Sequence, residues 1–173
     1  MLLCGGCVRL PSGLEPVDAF DLNRYLGTWY EIARLDHSFE RGLSHVTAEY
    51  SLGSAGAVNV VNRGYSQEKK TWKEAHGRAF FTDSPRIGKL KVSFFGPFYG
   101  GYNIIGLDRE NYSYALVCGP SRSYLWILAR TPSLDPQTLQ NLVARAASLG
   151  FKTENLIYVD HANGEKLGEE QER

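Results

Sequence analysis

Any chemistry in this chain must come from three cysteines and four histidines, and their spacing limits what they can do. Cys4 and Cys7 form a Cys-x-x-Cys pair at the N-terminus, while Cys118 stands alone inside a β-like run. Such a pair can supply half of a tetrahedral metal site, but no second ligand pair lies nearby. A redox Cys-x-x-Cys opens a helix after a strand, whereas this one opens the chain. A nucleophilic Cys118 needs a cation or a helix N-terminus to lower its pKa, and Leu116, Val117 and Gly119 offer neither. His37, His45, His76 and His161 fall in separate segments, without the His-x-His or His-x-x-x-His spacing of a metal site. There is no Gly-x-Ser-x-Gly elbow, phosphate loop or dinucleotide fingerprint. The residues therefore predict no metal, no cofactor and no catalytic group, and binding becomes the question.

Composition bounds the binding partner. The 173 residues suit one domain, and 19 Lys plus Arg balance 19 Asp plus Glu. With no basic excess to neutralise a phosphate backbone, nucleic acid is excluded as a partner. Ten Tyr, eight Phe and three Trp within a 43% hydrophobic composition suit a β-rich protein with an apolar interior. No stretch approaches the roughly 20 apolar residues of a membrane-spanning helix.

Period-2 runs dominate the chain. Trp29 to Leu35, Val46 to Leu52, Ala57 to Tyr65, Trp72 to Thr82, Lys89 to Phe94, Tyr102 to Leu107, Tyr112 to Cys118 and Tyr124 to Thr131 make eight strands at hairpin spacing. The expected fold is an all-β, up-and-down antiparallel barrel. One helix follows, capped by Asp135, started by Pro136 and stopped by Gly150, with Leu139, Leu142, Val143, Ala146 and Ala147 on its apolar face. That face is expected to pack on the outside of the barrel, before a short strand at Leu156–Val159.

Two distant motifs tie this pattern to a family. Gly27-Thr28-Trp29-Tyr30-Glu31-Ile32 opens the first strand, and Leu128-Ala129-Arg130-Thr131-Pro132 closes the eighth. A guanidinium laid across an indole joins first and last strands, and a desolvated pair contributes roughly 2 kcal/mol. Gly27, Trp29 and Arg130 in this order of elements resemble the lipocalins over residues 20–160. Phe94 to Asn103 is similar to the bacterial outer-membrane lipoprotein lipocalins in particular, and plant temperature-induced lipocalins and apolipoprotein D are more distant. The resemblance implies an eight-stranded lipocalin barrel, with one C-terminal helix outside it, that binds fatty acids or lysophospholipids. Thr-Asp-Tyr, common in the family before the seventh strand, is replaced by Leu107-Asp108-Arg109-Glu110-Asn111-Tyr112, which weakens any inference about closed-end receptor contacts.

Alternating hairpins place Trp29 and Arg130 at the closed end and the loops around Asp36–Ser44, Ser66–Thr71, Gly96–Gly101 and Gly119–Ser123 at the mouth. Strand parity with Leu90, Val92 and Phe94 inward adds Val46, Ala48, Tyr50, Val58, Val60, Asn62, Tyr102, Ile104, Leu116, Cys118, Trp126 and Leu128 to the lining. The resemblance to apolipoprotein D-like relatives supports Tyr50, Asn62, Tyr102 and Trp126. The predicted ligand-binding set is Tyr50, Asn62, Leu90, Val92, Phe94, Tyr102, Ile104, Leu116, Trp126 and Leu128, with Asn62 as a polar anchor at mid-depth. Arg41, Lys69, Lys70 and Arg122 are expected to ring the mouth with positive charge, so an amphiphile would hold its chain inside and its head among Tyr50, Asn62 and the mouth loops. The competing reading of the mouth aromatics is that they cap the barrel or form a homodimer contact.

Leu2-Leu3 followed by Gly5-Gly6-Cys7 is similar to the end of a bacterial lipoprotein signal, with Cys7 as the acylated residue. Cys4 stands where Leu is usual, and the charged and apolar signal regions would lie upstream of Met1. Residues 1–19 then read as a signal remnant and flexible tether, residues 20–160 as barrel plus helix, and residues 161–173 as a flexible tail. The expectation is a non-enzymatic carrier or store of a small amphiphilic lipid, anchored to the outer membrane on its periplasmic side. Two alternatives stay open: a membrane-anchored interaction protein whose barrel is filled by side chains, and a thiol-dependent lipocalin enzyme using Cys118.

Overall fold

The computed structural model describes residues 8–162. Cys4, Cys7 and nearly all of the C-terminal tail lie outside the described residues. Strands β1 (Gly27–Leu35), β2 (Leu43–Leu52), β3 (Val58–Ser66), β4 (Thr71–Phe81), β5 (Lys89–Phe95), β6 (Phe98–Leu107), β7 (Tyr114–Cys118) and β8 (Leu125–Ala129) pair antiparallel, each with the next. The first strand pairs with both β2 and β8, which closes the ring and leaves no free edge between first and last strands. A short β9 (Leu156–Tyr158) joins the second half of β1, where β2 has already diverged. This is the eight-stranded barrel with one added strand that the alternation predicts.

Helix α2 (Pro136–Ser148) starts where Asp135 accepts from the backbone N–H groups of Gln137 and Thr138, and ends before Gly150, whose φ of +84° suits glycine. Its Leu142 and Ala146 are buried against Ile105, Leu116, Ile127 and Ala129 on the outer barrel wall. Ala147, expected on that face, is exposed. The molecule therefore has two apolar layers, one inside the cup and one between barrel and helix.

Three segments depart from expectation. A four-residue helix α1 (Leu22–Tyr25) crosses the closed end, where Asp21 accepts from the Asn23 N–H and Tyr25 is buried. Residues 8–19, expected to be a loose tether, pack along the barrel wall, with Pro11, Leu14 and Val17 buried. The physical reason is that Leu14 and Val17 remove apolar surface from water, one in each of the two layers. Phe98 to Gly101, read as a mouth loop, continues β6, and Phe95 and Phe98 face each other across the hairpin tip.

Candidate functional site

The closed end is built around Trp29, which is fully buried and donates its indole N–H to the Tyr25 carbonyl at 2.8 Å. Arg130 lies over this ring, its guanidinium carbon 4.0 Å from the ring centroid. Its nitrogens also donate to the carbonyls of Thr28, Arg24 and Tyr112, at 2.9, 2.7 and 3.3 Å. Gly27 belongs here because its φ of +93° is a backbone conformation that favours glycine. In the altered loop, Asp108 accepts from the Ser113 hydroxyl and from the N–H groups of Glu110, Asn111 and Ser113. The Tyr112 hydroxyl accepts from the Asp21 N–H, so the loop still pins the closed end without the family threonine.

Above this floor lies a cavity of about 710 Å³, within the range of small-molecule sites. Tyr50, Asn62, Leu90, Val92, Phe94, Tyr102, Trp126 and Leu128 all line it, as parity predicts. Gly77 makes room for Phe94, since a Cβ would come within 2.8 Å of the phenyl ring. The hydroxyls of Tyr25 and Tyr50 each meet that of Tyr102, at 2.7 and 2.8 Å. Three O–H protons share two hydrogen bonds, so one donor is left without a protein acceptor at the base of the cavity. Burial pushes all three hydroxyl pKa values up, so they remain neutral donors at neutral pH. Tyr50 therefore stands on the floor beside Tyr25 and Trp29, not near the mouth where the head of an amphiphile is expected. Asn62 does sit part-way up, and its Oδ1 is buried with no hydrogen-bond partner.

Three predicted lining residues lie elsewhere. Leu116 faces outward, fully buried in the layer beneath α2 together with Cys118, while Ala115 and Val117 take the inward positions. Strand β7 is apolar on both faces, so alternation gives no polar side from which to read its parity, and a register shift between Ile104 and Gly106 separates it from β6. Ile104 is inward and fully buried, but packs into the inner core beside Gly88 and contributes no surface to the cavity.

The wall also carries a charged cluster that sequence reasoning missed. Glu31 shares the inward face of Trp29, and a bulge between Glu31 and Ala33 turns Arg34 inward as well. The Arg34 guanidinium donates to Glu31 Oε1 at 2.7 Å and to the Glu40 and Leu43 carbonyls at 2.8 and 3.1 Å, bridging the gap where β2 leaves β1. Glu40 in turn lies 2.9 Å from His37 Nε2 and accepts from Trp126 Nε1 at 3.0 Å. Burial, reinforced by the Glu40 charge, pushes the Glu31 carboxyl well above the ordinary range despite Arg34. Burial opposes ionisation of Glu40 too, but the His37 imidazole beside it, with the Trp126 N–H, outweighs burial and lowers its pKa. The available signal was Glu31 itself, two residues after an inward Trp29 on the same strand face.

At the mouth, Phe39, Phe95 and Phe98 are 73%, 80% and 77% exposed. The expected ring of cations is redistributed. Arg41 pairs with Asp36 at 2.8 Å, and Arg122 is spent on the Leu149 and Ser12 carbonyls of the outer wall. Lys73 lies at the cavity wall instead, while the Arg63 guanidinium stacks over Trp72, 4.3 Å from its ring centroid.

Comparison with known proteins agrees with this architecture. A family model for the lipocalin-like domain matches residues 20–161. The chain is 56% identical over 158 residues to an outer membrane lipoprotein, Blc, of Vibrio cholerae, covering 91% of this chain and 92% of that protein. It is 34% identical over 151 residues to mouse apolipoprotein D, covering 83% and 78% of the two chains. The solved structure of insecticyanin from the tobacco hornworm superposes with a TM-score of 0.71 at 21% identity, covering 90% of this chain and 88% of that one. With a Trp29–Arg130 clasp closing an eight-stranded cup and an outer helix in place, the chain belongs to the lipocalin family.

Proposed function

We propose that the protein is a carrier of a single-chain amphiphile, a fatty acid or lysophospholipid, held at the outer membrane through an acylated Cys7 on the periplasmic side. The observation that carries this reading is the apolar cavity of about 710 Å³, closed at one end and aromatic at the other. Each CH₂ removed from water contributes roughly 0.8 kcal/mol, so a long acyl chain gains on the order of 10 kcal/mol before ordering costs. Micromolar affinity therefore follows from transfer energy without a catalytic group. The chain runs along Leu90, Val92, Val117 and Leu128, and the head stays near Lys73. The relative from Vibrio cholerae, named an outer membrane lipoprotein, supports the location.

The two alternatives meet specific obstacles. A barrel filled by side chains would leave no cavity of this size. A thiol enzyme needs a reactive Cys118, yet burial pushes that thiol up to about 12, against a weaker opposing pull from Arg122, and it faces α2 rather than the cavity.

Titration of the protein with lysophospholipid and with a long-chain fatty acid, followed by Trp126 fluorescence, tests the reading. Binding tighter than about 100 μM is expected, a weak value for an acyl chain by the transfer arithmetic above. Trp126→Ala should weaken binding by about 2 kcal/mol through lost contact. Trp72→Phe, outside the cavity, should leave it unchanged. Failure of both ligands to bind would end the carrier assignment.

A further inference from the structure

We propose that the mouth of the barrel is a membrane-docking surface, so that the cup opens directly onto the bilayer to which the chain is tethered. This rests on the anchoring part of the function proposed above, not on the identity of the ligand.

The path of the N-terminal strap sets the orientation. The carbonyl oxygens of Val8 and Arg9 lie 3.3 and 3.4 Å from where a Cβ on Gly101 would stand, in the mouth half of β6. The Ser12 carbonyl then accepts from Arg122, in the β7–β8 loop at the same end, at 2.9 Å. Further along, the Val17 N–H donates to the Ile104 carbonyl and the Phe20 N–H to the Arg86 carbonyl of the closed-end loop, both at 2.8 Å. The strap thus descends from mouth to floor, and its N-terminal end leaves the barrel at the mouth. Cys7 is the next residue before Val8, and consecutive Cα atoms are about 3.8 Å apart. An acyl anchor there has no spacer with which to turn the barrel over, since a nine-residue strand such as β1 is about 30 Å long.

The surface at that end suits a bilayer. Phe39 on the β1–β2 loop and Phe95 and Phe98 at the β5–β6 tip are each at least 73% exposed. Side chains so placed lose water contact when they enter the interfacial region. Lys69 and Lys70, exposed in the β3–β4 turn at the same end, stand where lipid phosphates would lie. The closed end offers Leu52 as its large exposed apolar side chain among the described residues. A second copy seated mouth to mouth would cover the same phenylalanines, but it would direct both anchors into the space between the two copies. Docked on the bilayer instead, the apolar cavity is continuous with the membrane, and an amphiphile enters without crossing water.

Depth measurement on the mature lipoprotein in vesicles of phosphatidylethanolamine and phosphatidylglycerol tests this. Cys118 is buried, so a cysteine introduced at Ser38→Cys (mouth) or Ser54→Cys (closed end) can be spin-labelled selectively. Vesicles should raise the oxygen-to-nickel-chelate accessibility ratio several-fold at position 38 and leave position 54 unchanged. Equal accessibility at both positions, or shielding of position 54, overturns the proposal. Shielding of position 38 without vesicles, growing with protein concentration, also overturns it and assigns the surface to a second copy. In the non-acylated Cys7→Ser protein, Phe39→Ser/Phe95→Ser/Phe98→Ser should reduce vesicle partition at least tenfold; unchanged partition counts against the docking surface. Mass measurement of the membrane-extracted protein checks the anchor separately. Lysophospholipid titration in vesicle-free solution checks carriage, so either reading can fail while the other stands.

Discussion

The two ends of the barrel use the same side-chain types to opposite ends. On the floor, Trp29 is fully buried and Arg130 spends its donors on three carbonyls while stacking on the indole. At the mouth, Phe39, Phe95 and Phe98 stand in the open, and Arg41 makes an ion pair with Asp36 in which both side chains are at least 43% exposed. Burial separates the two. A cation over a desolvated ring contributes to folding, whereas an exposed ion pair contributes about 0–1 kcal/mol. The floor is therefore built for stability, and the mouth leaves apolar area in water that folding alone does not justify.

Truncation at each end should break this symmetry of composition most sharply. Trp29→Ala is expected to destabilise by about 3–5 kcal/mol, the range for a fully buried aromatic, while Phe98→Ser should stay within about 0.5 kcal/mol. Denaturant unfolding of both variants measures the difference. Comparable losses would show that the mouth, too, is a structural element.

The closed-end loop sharpens the comparison at smaller scale. Asp108→Ala removes the acceptor for the Ser113 hydroxyl and three backbone N–H groups and should cost about 1–2 kcal/mol. Burial raises the Asp108 pKa, but these hydrogen bonds outweigh it, so its carboxyl is held below the usual value. Its contribution is accordingly present above the ordinary carboxylate range and lost as pH falls through the depressed value. A variant whose unfolding midpoint matches the parent at pH 7 would remove the loop from the list of closing elements.

The charged wall between the two ends should give the smallest effect, seen as a pH slope. Glu31 has a raised pKa in the folded state, so it binds more protons folded than unfolded. Its stabilising share is full below the ordinary glutamate value and lost as pH rises through the raised one. Glu40, depressed, contributes in the opposite sense, losing stability as pH falls. In Glu31→Gln the decline in unfolding midpoint as pH rises above the ordinary glutamate value should flatten. An unaltered slope would mean that Glu31 is ionised throughout.

Most of the barrel was legible in the alternation. Leu90, Val92 and Phe94 against Lys89, Lys91 and Ser93 mark an inner and an outer face, because one side of that strand meets water. The same rule failed on β7, where Ala115 to Cys118 is apolar on both sides and Leu116 went to the helix layer. Tyr50 was assigned to the lining correctly but to the wrong depth, since parity specifies a face and not a height relative to loops elsewhere in the chain.

The amino-acid sequence by itself determined the strand count, the capped outer helix and the clasp of Trp29 with Arg130, because these follow from local periodicity and from two residue types with one strong mutual geometry. Tertiary structure alone decided the rest. The bulge that turns Arg34 inward beside Glu31, the O–H proton left without an acceptor among Tyr25, Tyr50 and Tyr102, and the strap that brings Val8 beside Gly101 each depend on segments far apart in the chain. Burial and hydrogen-bond satisfaction are properties of the closed ring, and they arise only when distant strands meet.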